Sequence, residues 1–385
     1  MLRFLTAGES HGRALVVVVE GLPAGLAVTA DQVARELARR RLGYGRGPRQ
    51  RFEADELTLV GGVRHGLTKG APVAMEIANS EWAKWAEEMS PAPGGTTRPL
   101  THPRPGHADL AGMQKYRLGD ARDVLERASA RETAARVAGG ALCKTLLREL
   151  GIEIVSHVVQ LGPVVVKAGL RPGPGDLDAV DLSPVRCFDH EAEVAMVEAI
   201  KAAAKEGDSL GGAAEVIAYG VPVGLGSHVH WDRKLDGLLA QALVSIPAVK
   251  ATEIGDAVEI ARLRGSLAHD AIGWDPQARR YVRGSNHAGG IEGGISNGEP
   301  LVARCYMKPL STLNRPVLRT VDVVSKEETV AFKERTDHTA VPAMGVVAET
   351  MMAWVLASEA LRKFGGDSMP EVVANWRAYL ASLRA

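Results

Sequence analysis

Two histidines lie in segments whose other residues suit proton transfer to a bound ligand. His11 stands in GESHG (Gly8–Gly12), where the flanking glycines let the backbone and the imidazole approach a ligand closely. His107 stands in RPGHAD (Arg104–Asp109), at the start of a predicted helix whose N-terminus favours an anion such as phosphate. Each segment alone also fits a structural histidine or a capped loop, because histidine has many uses besides catalysis.

Arginines are concentrated in two segments, one interleaved with glycines and one beside a predicted helix start. Their guanidinium forks bind carboxylate and phosphate bidentately. The chain carries 46 Lys+Arg and 46 Asp+Glu, so this local concentration favours a pocket for a small polyanion over a nucleic-acid surface. The first cluster is Arg39, Arg40, Arg41, Arg46, Arg49 and Arg51, and the second is Arg122, Arg127 and Arg131.

Three segments of the second half carry weaker signals. Glycines crowd Asn286–Gly298 without the strand–GxGxxG–helix context of a dinucleotide fingerprint. KPLST (Lys308–Thr312) supplies a cation and two hydroxyls, and RTDH (Arg335–His338) places a cation, a carboxylate and an imidazole close together. Each of these segments by itself fits a polar loop.

The elements that must position these residues mix strands and helices without regular alternation or a short repeat. This pattern predicts an α/β or α+β sandwich in one domain over residues 1–385, with a long irregular segment from Ser90 to Gly106. Capping boxes are predicted at Thr29 and Ser129. The predicted strands are Arg13–Val19, Leu57–Val63, Val73–Ala78, Ile152–Val166, Ala213–Val223, Leu301–Met307 and Val317–Val324. The predicted helices start at Thr29 and Ser129 and cover His107–Leu118, His190–Glu206, Asp232–Ser245, Ala343–Phe364 and Pro370–Arg384.

The sequence favours neither a metal site nor a disulfide framework. Cys143, Cys187 and Cys305 are far apart and form no CxxC pair. The spacing of His107 and Asp109 also occurs in metal sites, but no further ligands gather near it, so we predict no metal.

The composition predicts a soluble cytoplasmic protein. The N-terminal MLRFLTAGESHG reaches charged residues too early for a signal-peptide core. No window approaches the ~20 apolar residues of a membrane span. Zero formal net charge disfavours membrane-surface and general nucleic-acid binding.

Nine segments together resemble the chorismate synthase family, in the family's order over nearly the whole chain. One of them alone would be weak, but the ordered set is highly specific. The segments are GESHG (Gly8–Gly12), RRRLGYGR (Arg39–Arg46), RPGHAD (Arg104–Asp109), ASARETAARVAGGA (Ala128–Ala141), GDSLGG (Gly207–Gly212), IPAVKATEIG (Ile246–Gly255), SNHAGGIEGGISNG (Ser285–Gly298), KPLST (Lys308–Thr312) and RTDHTAVPA (Arg335–Ala343).

The resemblance implies an enzyme that converts 5-enolpyruvylshikimate 3-phosphate to chorismate and phosphate by an anti 1,4-elimination, the seventh step of the shikimate pathway. It implies reduced FMN as the cofactor, with an outside reductant and NADPH as alternative sources of electrons. It also implies a homotetramer with a β-α-β sandwich fold. The substrate carries a phosphate and two carboxylates, which suits the arginine clusters. Neither a nucleic acid nor a membrane is an expected partner.

The resemblance also assigns roles by motif position. His107 resembles the acid that protonates departing phosphate, His11 the residue that manages the reduced flavin's proton, and Asp337 the carboxylate near flavin N5 that helps remove the substrate proton. FMN is expected on Arg127, Ala128, Ser129, Pro247, Ala248, Gly293, Lys308, Pro309, Leu310, Ser311, Thr312 and Arg335. The substrate is expected on Ser10, Arg49 and Arg131, and either a dinucleotide or the substrate's anions on Arg40 and Arg46.

Two positions depart from the family's common pattern. Ala128 stands where a serine is common, and Leu310 stands where a threonine is common. The side-chain contacts of the pattern are therefore open at both positions, whereas backbone contacts survive the change.

Three other functions stay open on the sequence alone. A different flavin- or phosphate-handling lyase on the same scaffold would be distinguished by its product. A flavin-binding or scaffolding protein without activity is disfavoured by the joint presence of His11, His107 and Asp337. Nucleic-acid binding through Arg39–Arg51 requires binding to duplex DNA that weakens steeply with salt.

Overall fold

The computed structural model describes residues 1–46, 55–331 and 337–383. Two predicted site residues, Arg49 and Arg335, lie outside these ranges. Within them the strands are β1 Arg3–Ala7, β2 Ala14–Glu20, β3 Leu57–Gly61, β4 Val63–Arg64, β5 Leu67–Thr68, β6 Val73–Ala78, β7 Glu153–Leu161, β8 Val164–Val165, β9 Gly212–Tyr219, β10 Val249–Ile254, β11 Ile272–Asp275, β12 Arg280–Arg283, β13 Ile291–Glu292, β14 Ile295–Ser296, β15 Leu301–Met307, β16 Arg319–Val321 and β17 Glu328–Val330.

The helices of the same ranges include two long ones near the centre of the fold. The α-helices are α1 Ala30–Arg40, α2 Trp82–Trp85, α3 Asp109–Tyr116, α4 Arg122–Ala128, α5 Thr133–Glu149, α6 Leu177–Leu182, α7 His190–Glu206, α8 Leu235–Val244, α9 Ala257–Ile260, α10 Gly265–Ala268, α11 Val341–Phe364 and α12 Met369–Ser382. Short 3₁₀ turns cover Ala130–Glu132, Pro174–Asp176 and Trp231–Arg233.

Two antiparallel sheets enclose a helical layer. One sheet has the strand order β1-β2-β6-β3, and the other has the order β10-β15-β9-β7-β8. Helix α5 contacts β2 of the first sheet and β7 of the second, while α11 contacts α5, β7 and β9. The layers therefore run sheet, helices, sheet, which confirms the predicted α+β sandwich of β-α-β type.

Side-chain alternation and one glycine explain how these layers pack. In β2, Leu15, Val17 and Val19 are buried while the residues between them are partly exposed, so one face of the sheet is apolar. On α5, a Cβ at Gly140 would lie 2.4 Å from the Cβ of Thr350 on α11. Glycine at this position is therefore what lets the two helices approach each other so closely.

Helix α11 is apolar on nearly every side because protein surrounds it. Its length and mean hydropathy of 1.4 would suit a membrane span by composition. However, 89% of its most apolar window is buried inside the protein, as in the core helix of a globular domain.

Most predicted elements are present, and the differences have local causes. The capping box at Thr29 is confirmed, since its side chain accepts from Gln32 N and Gln32 Oε1 accepts from Thr29 N. The capping box predicted at Ser129 is wrong. Ser129 accepts from Arg131 N in a 3₁₀ turn, whereas Glu132 bonds to Thr6 and Arg136.

Short and edge elements were the ones mispredicted. The predicted strand Val317–Val324 is only Arg319–Val321, which forms a hairpin with Glu328–Val330. Helix α6 and strands β1 and β10 lie outside every predicted helix and strand. The segment from Ser90 to Gly106 has no helix or strand, as predicted.

Candidate functional site

A cavity of about 850 Å³ collects most of the residues singled out in the sequence. It lies where the β1–β2 connection, the C-terminal end of α1, helix α2, the RPGHAD segment and the start of α11 meet. The residues lining it are Ser10, His11, Arg40, Arg46, Ser80, Glu81, Lys84, Trp85, Arg104, His107, Leu125, Ser129, Ala130, Arg131, Thr133, Ile246, Pro247, Met307, Leu310, Ser311, Thr312, Asp337, Ala340, Ala343, Met344 and Val347.

His11 is held by a buried carboxylate. Its Nδ1 lies 2.9 and 3.1 Å from the two carboxylate oxygens of Glu126, and its backbone N–H donates to Glu126 at 2.8 Å. Burial would raise the pKa of Glu126, but the hydrogen bonds from His11 outweigh it and lower the pKa below its ordinary value. An ionised Glu126 therefore accepts the Nδ1–H, which leaves proton exchange with a ligand to Nε2.

The side-chain amide of Asn79 holds the GESHG turn in place. Asn79 Nδ2 donates to the carbonyl oxygens of Ser10 at 2.7 Å and Gly12 at 3.0 Å, and Asn79 follows strand β6 directly. The C-terminal end of strand β6 thus sets the position of His11.

His107 has a partner of the same kind. Its Nδ1 hydrogen-bonds Asp109, whose side chain is fully buried. Arg104 adds a 2.8 Å hydrogen bond from Nε to Asp109 and reaches Thr312 Oγ1 at 3.0 Å. Burial would raise the pKa of Asp109, but the hydrogen bonds from His107 and Arg104 hold it well below its usual range. Asp109 opens helix α3, so it both begins the helix and orients His107.

The arginine wall of the cavity (Arg40, Arg46 and Arg131) is built around a third buried carboxylate. Asp55 pairs with Arg131 and with Arg40 Nη2 at 3.3 Å, and its side chain is 1% exposed. Burial would raise the pKa of Asp55, but the charges of Arg40 and Arg131 lower it. Arg46 Nη1 lies 3.3 Å from Asp337. Arg40 and Arg46 both line the cavity, and their buried Nε atoms have no hydrogen-bond partner among the described residues.

The charges that line the cavity suit an anionic ligand better than a metal ion. Among its described lining residues, five cations (Arg40, Arg46, Lys84, Arg104 and Arg131) face two carboxylates (Glu81 and Asp337), which suits a polyanion. Within the described ranges, no group of three or more His, Cys, Asp or Glu side chains is arranged to hold a metal ion.

The residues predicted to contact the cofactor fall into two groups. Ser129, Pro247 and Leu310–Thr312 line the cavity. Beside them, Lys308 N donates to Ala248 O at 3.0 Å, which joins two of the predicted segments. Burial, followed by the charge of Lys250, lowers the pKa of Lys308.

Other predicted cofactor residues lie outside the cavity lining. Arg127 donates to Gly8 O at 3.1 Å and to Thr6 O at 2.9 Å. Gly293 lies in the β13–β14 turn, against the N-terminal end of α8, because Leu235 N donates to Gly294 O at 3.0 Å. Pro247 follows the other end of α8, so about 15 Å of helix separates them. Ala128, Ala248 and Pro309 adjoin lining residues without lining the cavity themselves.

Sequence reasoning missed several parts of this site. Asp55, Glu126 and Trp85 lie outside every motif used above, and Glu81 and Lys84 line the cavity beside Trp85. A tryptophan pair in a short segment just before the irregular stretch was the only available signal for Trp85.

Comparison with known proteins agrees with the motifs. A sequence model of the family described as chorismate synthase matches residues 2–361. Chorismate synthase of Salinispora tropica is 59% identical, over 100% of this chain and 99% of that protein. Chorismate synthase of Streptomyces coelicolor is 56% identical, over 99% and 98%. The chain belongs to the chorismate synthase family.

The fold of the chorismate synthase family is also found in the solved structures. A crystal structure of chorismate synthase is similar to this chain with a TM-score of 0.80 and 40% sequence identity, over 100% of this chain and 98% of that chain. Membership of the chorismate synthase family makes the chain a phosphate lyase of aromatic biosynthesis, as the motifs predicted.

Proposed function

We propose that this chain eliminates phosphate from 5-enolpyruvylshikimate 3-phosphate to give chorismate, in a reaction that depends on reduced FMN. One observation carries the proposal. Two histidines, each held by a buried carboxylate, share a cavity of about 850 Å³ with an arginine-rich wall. That volume is in the range that encloses a small-molecule ligand.

The residues of the cavity fit FMN together with a polyanionic substrate. Ser129, Ser311 and Thr312 supply hydroxyls, and Lys308 stands beside them as a cation. The guanidinium groups of Arg40 and Arg46, which line the same cavity, are further donors suited to an anion. Reduced FMN, when bound, would supply the transient electron donation that helps to expel phosphate.

His107 protonates the departing phosphate in this proposal. Asp109 accepts its Nδ1–H, so Nε2 is the atom that exchanges the proton. Arg104 bonds to Asp109 and Thr312, which fixes the loop that carries His107. A positioned proton donor of this kind typically contributes 10²–10⁴-fold to the rate.

His11 and Asp337 handle the remaining protons. His11, tied to Glu126, exchanges a proton with the flavin through Nε2. Asp337 helps to remove the proton from the substrate, and Arg46 Nη1, 3.3 Å away, holds its carboxylate in place.

The arginine wall binds the carboxylates and phosphate of the substrate. Arg131 and Arg40 are held in place by Asp55, and Ser10 lies close by, where Ser129 Oγ donates to its hydroxyl at 3.1 Å. Arg49 joins this set as a prediction outside the described residues. For Arg40 and Arg46 a dinucleotide is the alternative partner, but their place in the cavity lining together with Arg131 favours the substrate's anions.

The proposal also includes the domain organisation, oligomeric state and source of electrons of the protein. The main hydrophobic core includes buried residues from Leu2 to Trp376, which supports one domain over residues 1–385. We propose a homotetramer in the cytoplasm that receives reduced FMN from an outside reductant, with NADPH as the alternative source of electrons. Gly293 and Arg335 remain predicted FMN contacts.

Anaerobic turnover of 5-enolpyruvylshikimate 3-phosphate with dithionite-reduced FMN tests the function. Chorismate absorbance and released phosphate should rise together, and oxidised FMN should give neither. The His107→Ala variant should bind FMN and turn over 10²–10⁴-fold more slowly. A different product from the same substrate would instead support another lyase on this scaffold, and a folded, flavin-binding protein without turnover would overturn the proposal.

A further inference from the structure

His11 and three other side chains beside the cavity, Trp85, Arg122 and Glu126, form a closed ring of contacts. The imidazole of His11 lies on the indole of Trp85 with ring centroids 4.2 Å apart and an interplanar angle of 34°. The Arg122 guanidinium carbon lies 5.0 Å from the centre of the Trp85 ring. Arg122 Nη1 donates to Glu126 at 3.4 Å, and Glu126 accepts from His11 at 2.9 Å. Each member therefore contacts the next one in the ring.

The contacts of His11 with Glu126 and with Trp85 restrict different motions. The hydrogen bond to Glu126 fixes the position of Nδ1, but it permits the ring to rock, because the χ2 well of histidine is broad. Stacking against the indole of Trp85 restricts that rocking, since tilting would separate the faces. Together they determine where Nε2 points.

Trp85 is itself anchored through Arg122. Helix α2 has only four residues, so it has little rigidity of its own. Arg122 stacks on Trp85 and lies 3.7 Å from Glu88, just beyond α2. Glu88 in turn accepts from Thr97 N at 3.1 Å. The contact between Trp85 and His11 is thus tied to helix α4, which also carries Glu126.

We propose that Trp85 is a positioning residue that acts through His11. It keeps Nε2 of His11 aimed at the reacting groups and covers one face of the imidazole against water. This inference rests on the proposed function, because it assumes that His11 exchanges a proton during turnover. A small displacement of a reacting group costs up to about 100-fold in rate, so the loss of the indole should lower kcat with little change in substrate KM.

A kinetic double-mutant cycle tests the proposal. Trp85→Leu should lower kcat by about 10–100-fold, whereas Trp85→Phe, which retains an aromatic face, should recover most of it. Trp82→Leu is the matched control on the same helix, because Trp82 does not line the cavity, and it should turn over normally. In a His11→Ala background, Trp85→Leu should cost almost nothing more, since its effect passes through His11.

Tryptophan emission supplies a readout independent of turnover. His11→Leu should change the emission, and the change should disappear when Trp85 is phenylalanine. Normal kcat in Trp85→Leu, equal loss in Trp82→Leu, additive losses in the double variant, or an emission change that survives Trp85→Phe would each overturn the proposal. If the wild-type protein forms no chorismate, the proposed function fails instead and the inference falls with it.

Discussion

At the residue scale, the site uses one arrangement twice. His11 and His107 each donate a hydrogen bond from Nδ1–H to a buried carboxylate. The hydrogen bonds from His11 lower the pKa of Glu126, and those from His107 and Arg104 lower the pKa of Asp109. An anionic partner fixes the tautomer that leaves Nε2 as the reactive nitrogen. The carboxylates are thus positioning residues, and their removal should affect turnover more than binding.

Asp109→Asn tests this arrangement at His107. The amide is neutral and can present N–H to the imidazole, so the wrong tautomer becomes available and kcat should fall by roughly 10²-fold or more. Steady-state kinetics should show a smaller change in substrate KM, with FMN affinity retained. Asp123→Asn on the neighbouring helix is the control, because Asp123 is exposed. Turnover close to wild type in Asp109→Asn would contradict the role given to Asp109.

At the scale of elements, a surface hairpin is hydrogen-bonded to the loop that leads to His107. The hairpin of β16 and β17 holds Asp322, which accepts from Thr101 Oγ1 at 2.6 Å and pairs with His102 at 3.0 Å. Thr320 Oγ1 donates to Pro103 O at 2.6 Å. The chain leaves this hairpin and then reaches Asp337, so the hairpin connects two of the predicted catalytic positions.

Asp322→Ala should loosen the loop without touching the cavity. We expect kcat to fall roughly tenfold, because His107 would lose its alignment with the substrate. Glu328→Ala removes a carboxylate of the same hairpin whose ion pair, among the described residues, is with the exposed Arg319, and it should be close to wild type. Parallel kinetics of the two variants provide the comparison, and equal rates would mean that the hairpin does not position the loop.

At the scale of the molecule, one buried carboxylate joins the helical layer to a sheet. Glu349 on α11 accepts from Arg39 Nη2 of α1 at 2.9 Å, from Lys144 of α5 at 2.8 Å and from Ser156 of β7 at 2.7 Å. Arg186 adds a contact at 3.2 Å. Burial would raise the pKa of Glu349, but the charges of Arg39 and Lys144 lower it well below the ordinary value.

Glu349→Gln should lower the free energy of unfolding by roughly 3–5 kcal/mol, because it leaves buried cations underpaired. Urea unfolding at pH 7 measures this loss, and the exposed Glu198→Gln should stay within about 0.5 kcal/mol of wild type. The lowered pKa of Glu349 also determines how its contribution to stability changes with pH. The ionised Glu349 contributes fully above the pKa of an unfolded glutamate, about 4.3, and its contribution falls as the pH drops below that value. The difference between wild type and Glu349→Gln should therefore shrink in acid. A constant difference would contradict the role of Glu349.

The sequence by itself determined the fold class, the family and most of the long elements. Periodic apolar residues predicted His190–Glu206, Leu301–Met307 and Val73–Ala78 with their observed bounds, because in these segments local pattern and burial agree. The motifs also singled out His11, His107 and Asp337, which line one cavity. Helix α6 escaped prediction because its pattern is too brief to outweigh loop-like composition, and β10 escaped it because Lys250 and Glu253 interrupt its apolar residues.

Only the tertiary structure decided which partners complete the site. Glu126 lies 115 positions from His11, and Asp55 lies 76 positions from Arg131, so neither pairing leaves a local pattern. A glutamate or aspartate in isolation resembles a solvated surface residue, and its burial depends on which cations the folded chain brings to it. Trp85 likewise resembles an ordinary apolar residue until helix α2 sets it on His11. The physical reason is common to all three, since the burial and partners of a side chain depend on the packing of distant segments.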